Sequence, residues 1–400
     1  MENNRTEKPK IASLIISAVF VLTLLAFGIG IFLFQREVSE TENRVLTTLP
    51  KPNAADILSG EWQSSFEEFT SDQFPFRDGF TSLGASVRYA LGMRELGGVT
   101  VGHTSDGGIR LFETLTPDSE RGDRIASTLS ALEKFASSMG NAETVLMPVP
   151  SSGLIYGEDL PSLASADDIE ELYTSVTEKS ESYTVLPTLS ILRDAKDTDK
   201  EALYFRTDHH WTARGAQAAY VSLCGLLGLS PETAGFETLS AEFYGTLFSK
   251  ALLPFITPDT VEKSTLAAES IRVKAGGGYG GIENLTEIPL YHDDRLDVKD
   301  KYEYFLGGNY GLVVIENQAL PDDAPTLFVF KDSFANIMAP YLASSFRRVV
   351  MVDPRYYRGT ASDLRSLIES ESPSTVLILY EIMTLADDTS LRPLLERVTG

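Results

Sequence analysis

The chain has 400 residues and a formal net charge of −23, with acidic side chains outnumbering basic ones 57 to 34. A phosphate backbone needs clustered Lys and Arg, so this balance excludes a nucleic-acid partner. The length allows one large domain or two medium ones, and a single cysteine, Cys224, rules out an intramolecular disulfide framework and any cysteine-based zinc cluster.

Residues 1–10 are polar, with Arg5, Lys8 and Lys10, and residues 11–34 carry no charge at all. At about 1.5 Å per residue a helix over that run spans roughly 36 Å, enough to cross a bilayer with some tilt. It ends in Phe32-Leu33-Phe34-Gln35-Arg36, without the small residues of a cleavage site, which predicts a retained signal anchor. Residues 1–35 therefore read as a cytoplasmic tail and a single transmembrane anchor, with the rest of the chain extracytoplasmic. Arg36, Arg44 and Lys51 lie just beyond the span and reduce the charge contrast that sets orientation.

Residues 36–98 read as a juxtamembrane linker and helical segment. Pro50 and Pro52 interrupt the polar stretch 36–60, and residues 61–92 carry Trp62, Phe66, Phe69 and Phe74 near helical spacing until Pro75 breaks the run. That aromatic stripe is expected to be core. Residues 99–400 read as one α/β domain. Within it, 99–112 is a hairpin punctuated by Gly102, Gly107 and Gly108, 121–139 a helix, and 144–150 a buried strand followed by the loop 151–156. An acidic helix is expected over 167–181, a strand over 182–186 and a helix over 188–195. Thr212 is placed to cap a helix running to Leu227, with Cys224 packed inside it. Residues 229–320 suit a β-rich insertion; the GGGYGG run at 276–281 lacks the Lys-Ser/Thr of a phosphate loop. The last eighty residues alternate strand (326–330), helix (334–345), strand (348–352), helix (359–371) and strand (375–379), the pattern of a parallel sheet flanked by helices.

Two of only four histidines are adjacent, in Asp208-His209-His210-Trp211. In an extended or tightly turned backbone residues i and i+2 share a face, so Asp208 can hold one ring nitrogen of His210 and leave the other to take a proton from a hydroxyl. His209, on an alternating backbone, is expected to face away. A metal site is the weaker reading, because adjacent histidines rarely reach one ion and no other cluster supplies ligands; no cofactor is expected either. Ser333 follows a predicted parallel strand and opens a helix whose first amides can meet an oxyanion. The assembled expectation is a triad of Ser333 as nucleophile, His210 as general base and Asp208 as orienter. Trp211 is expected to close the floor of the site. His103 and His292 are expected to be structural, and Arg77 and Arg355 to be ion-pair partners within the fold.

Asp208-His209-His210-Trp211, with the strand-turn-Asp332-Ser333-Phe334 segment downstream, resembles the DHHW family of bacterial envelope proteins and, through it, the alginate O-acetyltransferases of the SGNH hydrolase-like superfamily. Glu42-Asn43-Arg44, Phe74-Pro75-Phe76-Arg77-Asp78, Met147-Pro148, Gly307-Gly308-Asn309-Tyr310-Gly311 and Asp353-Pro354-Arg355-Tyr356 carry the resemblance along the chain. It implies an SGNH-like α/β fold and acyl transfer to, or removal from, a cell-envelope glycan. It also implies a membrane-bound O-acyltransferase partner that delivers the acyl group. Asn309 matches the asparagine that donates to the oxyanion in SGNH enzymes, and Lys331 stands where those enzymes carry Gly, a cation able to steer an anionic group or narrow the oxyanion site. Asn309, Trp211 and Lys331 are accordingly the expected substrate-binding residues. The alternatives are a carbohydrate esterase or a catalytically inactive SGNH-like protein that binds or assembles envelope glycans.

Overall fold

The computed structural model describes residues 7–162, 164, 166–198 and 202–400; Arg5, in the polar N-terminal flank, lies outside them. The chain forms two compact units, Met1–Met93 with Leu252–Pro254, and Arg94–Ala251 with Phe255–Gly400.

In the first unit a helix runs from Glu7 to Leu33. Among the described residues it is the one helix long and apolar enough to cross a membrane, over Ile11–Leu33. Three shorter helices follow, Ala54–Ser59, Glu61–Asp72 and Arg77–Ala90, the last two separated at Pro75 as its missing N–H and fixed φ require. Buried Asp72 gathers the segment after the long helix, accepting from the Arg44 guanidinium at 2.9 and 2.5 Å and from the Thr47 amide at 2.9 Å. Arg77 pairs with Glu42, as expected of an internal ion pair. Of the aromatic stripe, Phe69 is buried and Trp62 stacks on Phe66 at 5.0 Å, whereas Phe74 is partly exposed.

The second unit is built on an eight-stranded sheet. Its order is Thr286–Ile288, Ile271–Gly276, Leu312–Asn317, Arg348–Val352, Thr326–Lys331, Thr375–Glu381, Glu143–Val149, Thr184–Val185. The five strands from Arg348–Val352 to Thr184–Val185 are parallel; the other three are antiparallel. Residues 229–320, expected as an insertion, thus supply three strands of the main sheet, while Phe236–Phe243 and Asp259–Ser264 pair as a separate ribbon. The segment 151–156, expected as a loop, contains the short helix Ser152–Ile155.

Strand alternation splits the core into two faces. Leu327 and Val329 pack on one side with the helices Ala213–Leu226 and Phe334–Ser345. Phe328 and Phe330 point to the other, where Phe330 meets Phe135 of the helix Arg121–Ser138 edge-on at 5.4 Å. Helix Phe334–Ser345 is buried along its length up to Ser344, which is why it is apolar all round. A helix held on every side fixes whatever residue precedes it, and that residue is Ser333.

Candidate active site

Residues 204–211 form a loop closed at its base. Tyr204 and Trp211 are antiparallel bridge partners, the Phe205 amide donates to the His210 carbonyl at 3.2 Å, and the Thr212 amide donates to the Leu203 carbonyl at 2.8 Å. Near the tip, Asp208 Oδ1 accepts the His210 amide at 2.9 Å, an Asx turn that folds the side chain of residue i back over residue i+2. The same oxygen lies 2.6 Å from His210 Nδ1. The carboxylate–imidazole pair is thus set by local turn chemistry within three residues.

Two further anchors hold the loop from outside. Asp208 Oδ2 accepts from the Thr246 amide at 2.7 Å and the Thr246 hydroxyl at 2.9 Å. The buried Asp259 carboxylate accepts from the amides of Arg206 and Thr207, at 2.7 and 2.8 Å, and from the Thr207 hydroxyl at 2.6 Å. Gly245 passes so close to Asp208 that a Cβ there would sit 2.4 Å from Oδ2.

Ser333 reaches the pair from the sheet. Its Oγ lies 2.7 Å from His210 Nε2, although 123 residues separate the two in sequence. Asp332 clamps the turn between neighbouring strand ends: Oδ1 accepts the Phe334 amide at 2.9 Å and Oδ2 the Glu381 amide at 2.8 Å. From Lys331 to Ser344, Ser333 is the one residue that is not buried. Tyr302 covers the imidazole, its ring stacked on His210 at 3.7 Å and 8°, and its hydroxyl donates to the Ser333 carbonyl at 2.9 Å.

The electrostatics divide the charge cleanly. Burial pushes the Asp208 carboxyl up, but attraction to His209 and His210 and the donated hydrogen bonds outweigh it and hold the group well below the usual carboxylate range. Burial, helped by His209 and Arg355, pulls His210 down to about 4 against the opposing pull of Asp208. At neutral pH the pair is an ionised carboxylate beside a neutral imidazole whose Nε2 faces a serine hydroxyl. Such an arrangement can accept a proton as the hydroxyl attacks a carbonyl.

Two of the three expected substrate-binding residues, Trp211 and Lys331, need correction. Trp211 is fully buried, donates from Nε1 to the Phe334 carbonyl at 2.9 Å, and so ties the histidine loop to the serine helix without presenting a surface to substrate. Lys331 is also fully buried. Strand alternation turns it into the core, where Nζ donates to Asn336 Oδ1 at 2.6 Å with Asp353 Oδ2 4.0 Å away. It neither steers an anion nor narrows the site. Asn309 is exposed, and its Oδ1 accepts from Asn336 Nδ2 at 3.1 Å. His209 does not face away: its ring lies 3.8 Å from that of His210 and its Nδ1 2.7 Å from the Thr246 hydroxyl. Asp208, His209 and His210 bring ligand-type atoms within 4.8 Å of one another, yet hydrogen bonds already engage both ring nitrogens of His210. Arg355 pairs with Asp353 at 2.7 and 2.9 Å.

Sequence reasoning missed Gly245, Thr246, Asp259 and Tyr302, which come from a region without clear periodicity. Asn336 carried a usable signal, since its position three residues after Ser333 places both on one helical face.

Residues 188–352 match the DHHW protein family. Residues 111–246 match the SGNH hydrolase-like domain of the acetyltransferase AlgX. The solved structure of a DHHW family protein from Eubacterium siraeum is 22% identical, with a TM-score of 0.60, covering 74% of this chain and 94% of that one. The structure of Bacillus cereus PatB1 with a sulfonyl adduct is 19% identical, with a TM-score of 0.56, covering 72% of this chain and 98% of that one. No curated protein sequence gives a significant match. The second unit has the SGNH hydrolase-like α/β fold.

Proposed function

We propose that this protein is a membrane-anchored, extracytoplasmic, serine-dependent O-acyltransferase that places acyl groups, acetyl first among them, on a cell-envelope polysaccharide. Residues 1–35 form the tail and anchor, 36–98 the juxtamembrane segment, and 99–400 the catalytic domain. The observation that carries the reading is the unbroken hydrogen-bonded line Ser333–His210–Asp208 at the end of a parallel strand. The match of residues 111–246 to an acetyltransferase domain supports it, as does the apolar helix Ile11–Leu33. Burial of Lys331, which takes its cation out of the oxyanion site, is consistent with an active enzyme.

In the first half-reaction Ser333 Oγ attacks the acyl carbonyl of the donor while its proton passes to His210 Nε2. The leaving group then takes that proton, and an acyl-serine remains. Asp208 keeps Nδ1 protonated and stabilises the transient imidazolium, as in other triads. In the second half, a sugar hydroxyl gives its proton to Nε2 and attacks the acyl-serine; Ser333 recovers the proton as the product ester departs. The oxyanion meets the Ser333 amide and Asn309 Nδ2, whose carbonyl end is already held by Asn336. A membrane-bound O-acyltransferase is the partner suited to supply the acyl group from the cytoplasmic side.

Full-length protein in detergent, given an activated acetyl ester and an acceptor oligosaccharide, tests the proposal. The wild type is expected to release the leaving group and to yield O-acetylated oligosaccharide by mass spectrometry. Ser333→Ala and His210→Ala are expected to fall to background. Undiminished turnover in Ser333→Ala would refute the reading.

A further inference from the structure

Helix Arg77–Ala90 has its polarity reversed for a segment bathed in water. Phe76, Phe80, Leu83, Val87 and Leu91 recur at i+3/i+4 spacing, so they form one stripe, and each is at least 50% exposed. The charged side of the same helix is the engaged one. Asp78 accepts both Arg36 guanidinium nitrogens, at 2.7 and 3.1 Å, and Arg77 pairs with Glu42. Phe76, the most exposed of the stripe at 80%, also adopts a left-handed backbone conformation with φ of 61°, unfavourable for a bulky side chain.

The corner preceding this helix packs on the apolar span. Phe74 stacks face to face on Phe27 at 5.0 Å and 4°, and Phe80 lies 6.4 Å from the same ring. Pro75 lies against Gly30, where a Cβ would meet Pro75 Cγ at 2.7 Å. Gly30 and Phe27 precede the helix end at Leu33 by three and six residues, or about 5 and 9 Å along the axis. With the span inserted, that corner sits below the membrane surface, at the ~5–10 Å depth that interfacial amphipathic helices occupy.

We propose that Arg77–Ala90 is a second membrane element, lying in the interface of the same bilayer that holds the anchor, with Phe76, Phe80, Leu83, Val87 and Leu91 in the acyl chains. This rests on the anchor reading and goes beyond it. The chain is held to the membrane at two places, and the Arg36–Asp78 and Arg77–Glu42 pairs fix the angle between them at the water boundary. Bilayer lipid is favoured over a second copy of the chain because the stripe is continuous with side chains that already contact the span.

Nitroxide labels at Leu83→Cys and Val87→Cys, in full-length protein reconstituted in phosphatidylethanolamine/phosphatidylglycerol nanodiscs, test the assignment; the native Cys224 is buried and leaves the new site as the accessible thiol. Leu22→Cys in the span and Glu68→Cys on an exposed helix face are the reference positions. The ratio of collision with oxygen to collision with a water-soluble nickel chelate is expected to rise at 83 and 87 from the Glu68 value toward the Leu22 value. A Glu68-like ratio at 83 and 87, with Leu22 lipid-facing, overturns the proposal and leaves the anchor intact. An aqueous ratio at Leu22 overturns both. Low collision with both reagents, or dipolar broadening between labels, means protein cover and also overturns it.

Discussion

Gly245 is buried, yet one methyl group there is expected to disable the candidate site. A Cβ added at Gly245 would lie 2.3 Å from Asp208 Cβ, 2.4 Å from Oδ2 and 2.7 Å from Cγ. Carbon atoms at optimal contact are about 3.5–4.0 Å apart, so the carboxylate or the Gly245 backbone must move by roughly 1 Å. Asp208 is the side that yields, because relieving the clash from the glycine side breaks the Thr246 amide bond to Oδ2 as well. The bond to His210 Nδ1 is 2.6 Å long, and a misplacement of about 1 Å in a catalytic constellation costs about 10²-fold in rate. Gly245→Ala is therefore expected to lower kcat/KM for an activated acetyl ester by about 10²-fold. Overpacking is expected to lower stability by only about 1–3 kcal/mol, read as a modest fall in Tm. Gly225→Ala is the matched control: no atom lies within 4 Å of its Cβ position, and helix propensity favours the change by about 1 kcal/mol. If Gly245→Ala keeps kcat/KM within a few-fold of wild type at unchanged Tm, Asp208 is not held as described and the argument for its orienting role fails.

Three further outcomes are expected. His210 is drawn down to about 4 by burial first and by His209 next, with Arg355 adding to this and Asp208 opposing it. Removing His209 removes a lowering influence, so the acid limb of kcat/KM in His209→Asn should move to higher pH with the plateau rate retained; an unmoved limb contradicts it. Tyr302→Phe, which keeps the stack on His210 but loses the bond to the Ser333 carbonyl, should reduce kcat less than Tyr302→Leu, which loses both; steady-state kinetics of the two variants decide the order. Burial pulls Lys331 down to about 8 from an unfolded value near 10.5, so between those values the unfolded state binds more protons and the wild type gains stability as pH rises, by up to about 1.4 kcal/mol per unit. Lys331→Met lacks that gain. Its stability relative to wild type, measured by denaturant unfolding, should therefore decline from pH 8 to pH 10 and stay flat below.

The halves of the site were legible because each is local. Asp208 and His210 are joined by an Asx turn, and the strand-turn-helix around Ser333 announces itself through the apolar run 326–330 and the apolar helix behind it. The need of a serine nucleophile for a base joined them, and the resemblance agreed; no spacing or periodicity places them together across the intervening chain. What escaped were contacts without a period. Tyr302 lies in a short 3-10 turn capped by Asp300, and Gly245 lies between the strand Phe236–Phe243 and a six-residue helix that Thr246 opens; such segments have too few turns to show a face. Lys331 misled for a different reason. A lysine next to a site reads as solvent-facing by default, but strand alternation assigned it to the core, where Asn336 and Asp353 receive its charge. The helical character of residues 61–92 was legible, but not that the apolar stripe of Arg77–Ala90 is exposed while its charged side makes the ion pairs.

The order of the sheet also bears on how the chain can be made. The strand Thr375–Glu381, last of the sheet in sequence, lies between Thr326–Lys331 and Glu143–Val149. From synthesis of Val149 to synthesis of Glu381, roughly 230 residues pass, on the order of 10 to 50 seconds at ~5–20 residues per second. Throughout that interval the strand Glu143–Val149, buried in the finished fold from Thr144 onward, lacks one of its two parallel neighbours and offers an open apolar edge, the template on which chains aggregate. A truncation before Thr375 removes the strand that joins Thr326–Lys331 to Glu143–Val149 and leaves both of those edges open. An early stop there should produce insoluble protein although Asp208, His210 and Ser333 are all still present.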